Sequence, residues 1–394
     1  MAKQRIVFTE EFCQPELLFP FTLVRSLQDL RVGILTIREK WERMFRLSSV
    51  DKRQNNYKDS ECHVDFDQLG AGETWWLLHG NILPTPSLYK AIKSLKNGEC
   101  LLDHNGAAIA YRVSQKQVIG AHKIKMDRSV SYKDEVRSIV YSWDILRHNA
   151  WSLQADFTLL TKGRRSAAVP KGCRVIGTGK LFIEKGAALH FATINTTQGS
   201  VYIGKGAELM EGTLIRGPVS IGEGACVKMG ARLYGATTIG PACTVGGEIK
   251  HSVLMGYSNK AHDGYLGDAV IGAWCNLGAG TTNSNIKINA GPVRVWTPDG
   301  EKEVGQKCGV MMGDYSQTAI NTSISSGTVI GVGSNVMGQG LTPRYIPCFA
   351  WGQEGLSRYR LPELVQAIGR WKLLKGSALS AYEVSLIKSV YKKY

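Results

Sequence analysis

The C-terminal half of the chain carries one aliphatic residue at every sixth position. Ile203, Leu209, Ile215, Ile221, Val227, Leu233, Ile239 and Val245 keep this period without a break. Four residues after each stands a small or β-branched one: Ala207, Thr213, Val219, Ala225, Ala231, Thr237, Cys243 and Ile249. An α-helix repeats every ~3.6 residues and a half-buried strand every two, so neither produces this pattern. Each hexad therefore reads as one short strand plus a turn, with the aliphatic inward and the later residue in a tight corner. Three hexads close a triangular coil, and stacked coils form a left-handed parallel β-helix. The phase resumes at Tyr265, Ile271 and Leu277, and again at Ile324, Ile330 and Val336.

The first part of the chain has a different texture. The stretch 86–99 predicts a helix with Leu88, Ile92 and Leu95 on one face and a Lys-Asn-Gly stop. The stretch 101–113 predicts a hairpin turning at His104-Asn105-Gly106. The stretch 144–162 reads as a helix. The chain thus divides into an α/β domain over 1–143, a helical connector over 144–170, the β-helix over 171–345 and a helical extension over 346–394. The repeat breaks twice, at 251–269 and at 283–306. In the second break VRVW and EKEV flank Thr297-Pro298-Asp299-Gly300, which predicts a hairpin projecting from the coil.

Composition narrows the partners. The 394 residues suffice for two or three domains, and 44 glycines against 12 prolines suit a fold rich in tight turns. The net charge of +15 has no Lys/Arg tail and no RNA-binding signature behind it, so nucleic acid is not expected. The densest basic region, from Arg358 through Arg370, Lys372, Lys375 and Lys393, reads as a solvated helix face or as a seat for a phosphate-rich ligand such as coenzyme A. No apolar run is long enough to span a bilayer. The N-terminus lacks the apolar core of a secretory signal. Nine cysteines, an odd number with no CxxC, fit a reducing cytoplasm. His190, His251 and His262 show no metal-ligand spacing, so no metal site is expected.

Chemistry concentrates at the first break. His262 stands there with Lys250, Asp263, Tyr265 and Asp268, and Asn276 and Asn285 follow about one coil later. A neutral histidine can take a proton from an attacking amine or hydroxyl. Lys and Arg can hold a sugar phosphate. Asparagine amides can orient an acceptor, so direct acyl transfer needs no Ser or Cys nucleophile.

The stretch EIKHSVLMGYSNKAHDGYLGDAVIGAWCNLGAGTTNSN (248–285) resembles the acetyltransferase domain of the GlmU family. Those bifunctional enzymes acetylate glucosamine-1-phosphate and then uridylylate it to UDP-N-acetylglucosamine. The resemblance implies that His262 is the catalytic base. It implies acceptor binding by Arg232, Lys250, Tyr265 and Asn276, an active-site role for Asn285, and contact of Ala279 with acetyl-CoA. Asp314 stands where the family has a small serine near the coenzyme, and the 287–306 insertion is longer than in typical members. The resemblance also implies a homotrimer with sites between subunits. The acceptor would be an amino-sugar phosphate or a nucleotide sugar.

The family begins with a nucleotidyltransferase domain, and here that domain is short. The stretch 6–41 lacks the Gly-rich phosphate loop. Arg25 and Arg31 remain as candidates for phosphate binding, or as surface or structural arginines. In LLHGNILPTPSL (77–88) Asn81 occupies the place of a magnesium-binding aspartate, and a neutral amide is the poorer ligand. Magnesium enters only if this domain is active. The leading expectation is a sugar acyltransferase using acetyl-CoA. A sugar-1-phosphate nucleotidyltransferase and a non-catalytic trimer that binds sugar nucleotides are the alternatives.

Overall fold

The structure, a computed structural model, describes residues 3–11, 13–50 and 64–394, so Cys62 lies outside the described residues. The chain forms two compact units. One comprises Met1–Pro15, Ser26–Leu30 and Leu35–Val140; the other comprises Glu16–Arg25, Arg31–Ile34 and Tyr141–Tyr394.

The first unit is built on a five-stranded mixed sheet. Strand β1 (Gln4–Thr9) is followed by helix α1 (Ile37–Phe45), which opens on a capping box between Thr36 and Glu39. Strand β2 (Thr74–His79) is buried along its whole length and pairs in parallel with β1. Helix α2 (Pro86–Ser94) starts with proline in its first turn and Thr85 as cap. It ends at Ser94 with Leu95 as cap, just before the expected Lys96-Asn97-Gly98 stop, and Glu99 opens β3 (Glu99–Leu102). The hairpin to β4 (Ala108–Ser114) turns as expected: Asp103 Oδ1 accepts from the N–H groups of Asn105 and Ala107, and Gly106 takes φ +80°. Strand β4 joins β2 to β3, and β5 (Arg128–Ser131) closes the sheet beside β3.

The second unit is the parallel β-helix, with three faces. The first face stacks strands from Arg174–Ile176 to Tyr265–Gly267, the second from Leu181–Ile183 to Tyr345–Ile346, and the third from Ala188–Leu189 to Ala350–Trp351. The hexad aliphatics from Ile203 to Val245 are all buried and belong to one continuous core. Their register partners form columns: Ile203, Ile221 and Ile239 on the second face, and Leu209, Val227 and Val245 on the third.

The strict period ends after Val245 for a geometric reason. Earlier coils take eighteen residues from Ile221 to Ile239, but Leu254 follows Ile239 after fifteen. Shortened corners shift the phase, and the expected inward position at Tyr265 is corrected accordingly. Leu266 fills the column of Leu233 and Ile249, while Tyr265 stands in line with Arg232 and Glu248 on the outer side.

The insertion after Asn283 also departs from expectation. Strands Val293–Val295 and Lys302–Gly305 do form a hairpin, closed by Thr297 and Gly300. It lies against the coil and does not project. Val293 and Val295 are fully buried, and a side chain at Gly327 would meet the Arg294 carbonyl at 2.5 Å. Trp296 stacks on Tyr345 with ring centroids 3.9 Å apart, and Glu301 pairs with Arg344. Apolar residues on one side of each strand give the hairpin a face to bury.

Helix α3 (Asp144–Thr161) and the segments 16–25 and 31–34 lie along the second face. Asn149 links them, accepting from Gly33 N–H and Thr238 Oγ1 and donating to the Ala236 carbonyl. Helices α4 (Leu361–Leu373) and α5 (Ala381–Lys393) dock at the corner between the second and third faces. Residues at that corner take left-handed φ; glycine serves at 206 and 224, whereas Ala242, Tyr257, Trp274 and Tyr315 carry side chains. Tyr315 Oη donates to Glu383, Lys372 lies over Trp274, and Lys375 donates to the Ala242 carbonyl. The basic tail therefore spends Lys372 and Lys375 on its own docking. Among the described residues no helix is long and apolar enough to cross a membrane.

Candidate active site on the first face

Parallel stacking turns residues far apart in sequence into neighbours. Arg232, Glu248 and Tyr265 occupy one outer column of the first face, and Tyr234, Lys250 and Gly267 occupy the next. Arg232 Nε lies 3.6 Å from a Glu248 carboxylate oxygen, and Tyr234 Oη donates to Glu248 at 2.6 Å. The Lys250 ammonium sits 5.7 Å from the centre of the Tyr234 ring. Gly267 makes this arrangement possible. A Cβ there would fall 2.2 Å from Tyr265 Oη, so the absent side chain is the space the phenol occupies.

At the end of these strands a hydrogen-bonded network closes the face. His251 Nδ1 lies 2.6 Å from Asp268 Oδ1. Asn285 Nδ2 donates to Asp268 Oδ2 and to Tyr265 Oη, the latter at 3.2 Å. Burial alone would raise the Asp268 carboxyl. Hydrogen bonds from His251 and Asn285 and the charge of Lys250 outweigh it and hold the pKa below the usual aspartate value. With Asp268 ionised, its carboxylate is the acceptor and His251 Nδ1 the donor of their hydrogen bond. Burial pushes the Tyr265 phenol up to about 12, so it stays protonated and able to donate.

His262 stands at the opposite end of the strands, at the corner between the third and first faces. It is exposed, and its carbonyl accepts from Lys260 Nζ. Glycines let the coils approach there: a Cβ at Gly247 would lie 2.9 Å from the His262 carbonyl oxygen, and one at Gly264 would lie 2.2 Å from that of Thr281. Ala279 occupies the same corner one coil on, where the N–H of Gly280 donates to the Asp263 carbonyl.

The structure thus gathers Arg232, Lys250, Tyr265 and Asn285 on one face, with His262 and Ala279 at its edge. Asn276 lies on the third face, in a ladder with Asn259 and Gln317. Asp314 lies at the corner between the second and third faces. Its carboxylate accepts from Ala273 N–H and forms an ion pair with Arg25, both side chains largely buried. Arg25 also donates to the Met255 sulfur at 2.7 Å, and Arg31 Nε donates to the Met255 carbonyl at 3.0 Å. Both arginines are engaged with the β-helix. In the first unit, Asn81 follows the carboxyl end of β2, beside the loop that leaves β1, where open sheets place their ligands. Burial lowers His79 nearby to about 4. Among the described residues no cluster of three His, Cys, Asp or Glu side chains could hold a metal ion.

Sequence reading overlooked His251, Tyr234, Glu248 and Lys260. A signal existed, since His251 and Asp268 stand seventeen residues apart, close to one coil.

Comparison with known proteins supplies the context. A family model described as sugar nucleotidyl transferase matches residues 6–165. The bifunctional protein GlmU of Methanocaldococcus jannaschii is 36% identical over 84 residues, covering 21% of either chain. The bifunctional sugar-1-phosphate nucleotidylyltransferase/acetyltransferase of Sulfurisphaera tokodaii is 36% identical over 85 residues. The chain thus spans about a fifth of the length of these curated relatives. YaiX of Escherichia coli K12, named only as an uncharacterized acetyltransferase, is 34% identical over 157 residues, covering 39% of this chain and 68% of that protein. A solved hexapeptide transferase family protein from Anaplasma phagocytophilum is 16% identical and covers 55% of this chain and 96% of its own, with a TM-score of 0.27.

Proposed function

We propose that the chain, a divergent GlmU-like protein by its partial matches and an acetyltransferase relative by its match to YaiX, moves an acyl group from acyl-coenzyme A to an amino-sugar phosphate or nucleotide sugar. The observation that carries the proposal is the first-face cluster, which lines up Arg232, Lys250, Tyr265 and Asn285 along one set of strands, with the exposed His262 at the opposite end of those strands from Asn285. Arg232 and Lys250 supply positive charge for a phosphate, and the Tyr265 hydroxyl and Asn285 amide supply donors for a sugar. His262 Nε2 or Nδ1 removes the proton from the acceptor amine as it attacks the thioester carbonyl. The carbon–sulfur bond then breaks, and the thiolate leaves with coenzyme A. The active form is a homotrimer with the site shared between copies, which accounts for Asn276 standing on a different face from the other acceptor-binding candidates.

The test follows free coenzyme A thiol during incubation of acetyl-CoA with amino-sugar phosphates and nucleotide sugars. His262→Ala should lower turnover by about 10²- to 10⁴-fold with an unchanged melting temperature, because the residue is exposed. Full turnover in the variant would remove His262 from the reaction.

The family-model match over 6–165 favours a second reading, a sugar-1-phosphate nucleotidyltransferase. It has to contend with Asn81 at the magnesium position and with Arg25 and Arg31 bound to the β-helix. Release of pyrophosphate from a nucleoside triphosphate, dependent on magnesium and sugar-1-phosphate, would establish it. Binding of sugar nucleotides without either turnover would point to a non-catalytic trimer.

A further inference from the structure

The third-face core column runs Leu209, Val227, Val245, Lys260, Leu277, Thr318 and Val336. Six of these residues are aliphatic or small; the fourth is a lysine, 1% exposed, among the largest fully buried side chains of the molecule. An ammonium taken from water into such a column costs several kcal/mol unless it is hydrogen-bonded. Lys260 finds its partners at the end of the strand. Its Nζ donates to the His262 carbonyl and, at 3.4 Å, to the Gly246 carbonyl. Both acceptors belong to the corner that carries the exposed His262, where a Cβ at Gly247 would lie 2.9 Å from the His262 carbonyl oxygen. Burial drives the Lys260 amine down to about 8, with Asp263 opposing that shift.

A core argument alone does not account for this residue. Methionine matches lysine in volume and suits an aliphatic column, and replacing buried charge by apolar groups is often neutral or stabilising. We propose that Lys260 is a positioning residue: it clamps the His262 main chain so that the imidazole is held in one place over the first face. The inference rests on the acyl-transfer reading for its catalytic consequence, and on the corner geometry alone for its structural one.

Lys260→Met separates the two in the full-length protein. The melting temperature should stay level or rise, while kcat for thiol release falls by roughly ten- to a hundredfold with little change in KM, the scale expected of a displaced catalytic group. Backbone amide exchange over 261–264 should accelerate, while that over 203–245 stays as it was. A variant with wild-type kcat overturns the proposal. So does one that loses stability and activity in parallel, since that is the mark of ordinary core damage. If the wild-type protein itself releases no thiol, the acyl-transfer reading fails, and exchange at the corner decides alone. Unchanged exchange then overturns the clamp, and faster exchange sustains it.

Discussion

The coils from Ile203 to Val245 and the coils from Glu248 to Thr318 share one architecture but are held together differently. In the first set the inner columns are aliphatic, and most corner residues, such as Ala207, Ala225 and Ala231, bury no polar side-chain atom. Main-chain hydrogen bonds between coils complete the structure. In the second set buried polar groups enter the interior. Ser258 Oγ accepts from Cys275 N–H and donates to the Gly272 carbonyl. Asn283 takes a place in the first-face column and bonds both main-chain groups of Gly267. Lys260 enters the third-face column, and Asp268 joins His251 to Asn285. Regular coils rest chiefly on hydrophobic burial, with Thr213 and Thr237 closing their corners by hydrogen bonds to nearby carbonyls. Coils of altered length expose main-chain groups that side chains must satisfy, and those side chains then converge where coils bulge. The candidate site and the irregular coils coincide for that reason.

The contrast can be broken deliberately. Removing one partner of a buried ion pair is the severest test of the second set. Arg25→Met leaves the Asp314 carboxylate buried without its guanidinium and should cost about 3–5 kcal/mol in urea unfolding. Arg25→Met combined with Asp314→Asn should recover much of that loss, and failure to recover would mean that the two side chains do not act as a pair.

In the regular set the equivalent damage is a cavity. Leu233→Ala should lose about 2–5 kcal/mol but leave turnover per folded molecule near wild type. A large fall in kcat with stability intact would show that the regular coils also shape the site.

The smallest effect concerns Asp268 and depends on pH. Its folded pKa lies below the value in the unfolded chain, so its contribution is present above the unfolded carboxyl range and is lost as pH falls through the folded value. Asp268→Asn should therefore melt earlier than wild type near neutrality, and the two curves should converge in acid. A gap that stays constant down to strongly acidic pH would contradict the assigned cause.

How much was legible beforehand varies by region. The hexad run from Ile203 to Val245 and the turn at Asp103–Gly106 could be read because their signals are local. Counting in sixes puts Tyr265 inward with Ile271 and Leu277, but the corner between Leu266 and Ile271 takes only five residues and defeats that count. For Arg25 and Arg31 the sequence leaves two readings open, phosphate binding or a surface or structural role. Their partners, Asp314 and the Met255 main chain, lie more than two hundred residues away, beyond any local pattern.

The amino-acid sequence by itself determined the coil, because a residue that must be buried at every sixth position permits only one way of folding the backbone. It also marked the stretch 248–285 as the place of interest. Only the tertiary structure decided which polar groups meet there. That His251 faces Asp268, that Tyr265 covers Gly267, and that Lys260 reaches the His262 carbonyl all depend on how many residues each corner takes. Corner length sets the register between coils, and register is a property of the stack and not of any single repeat.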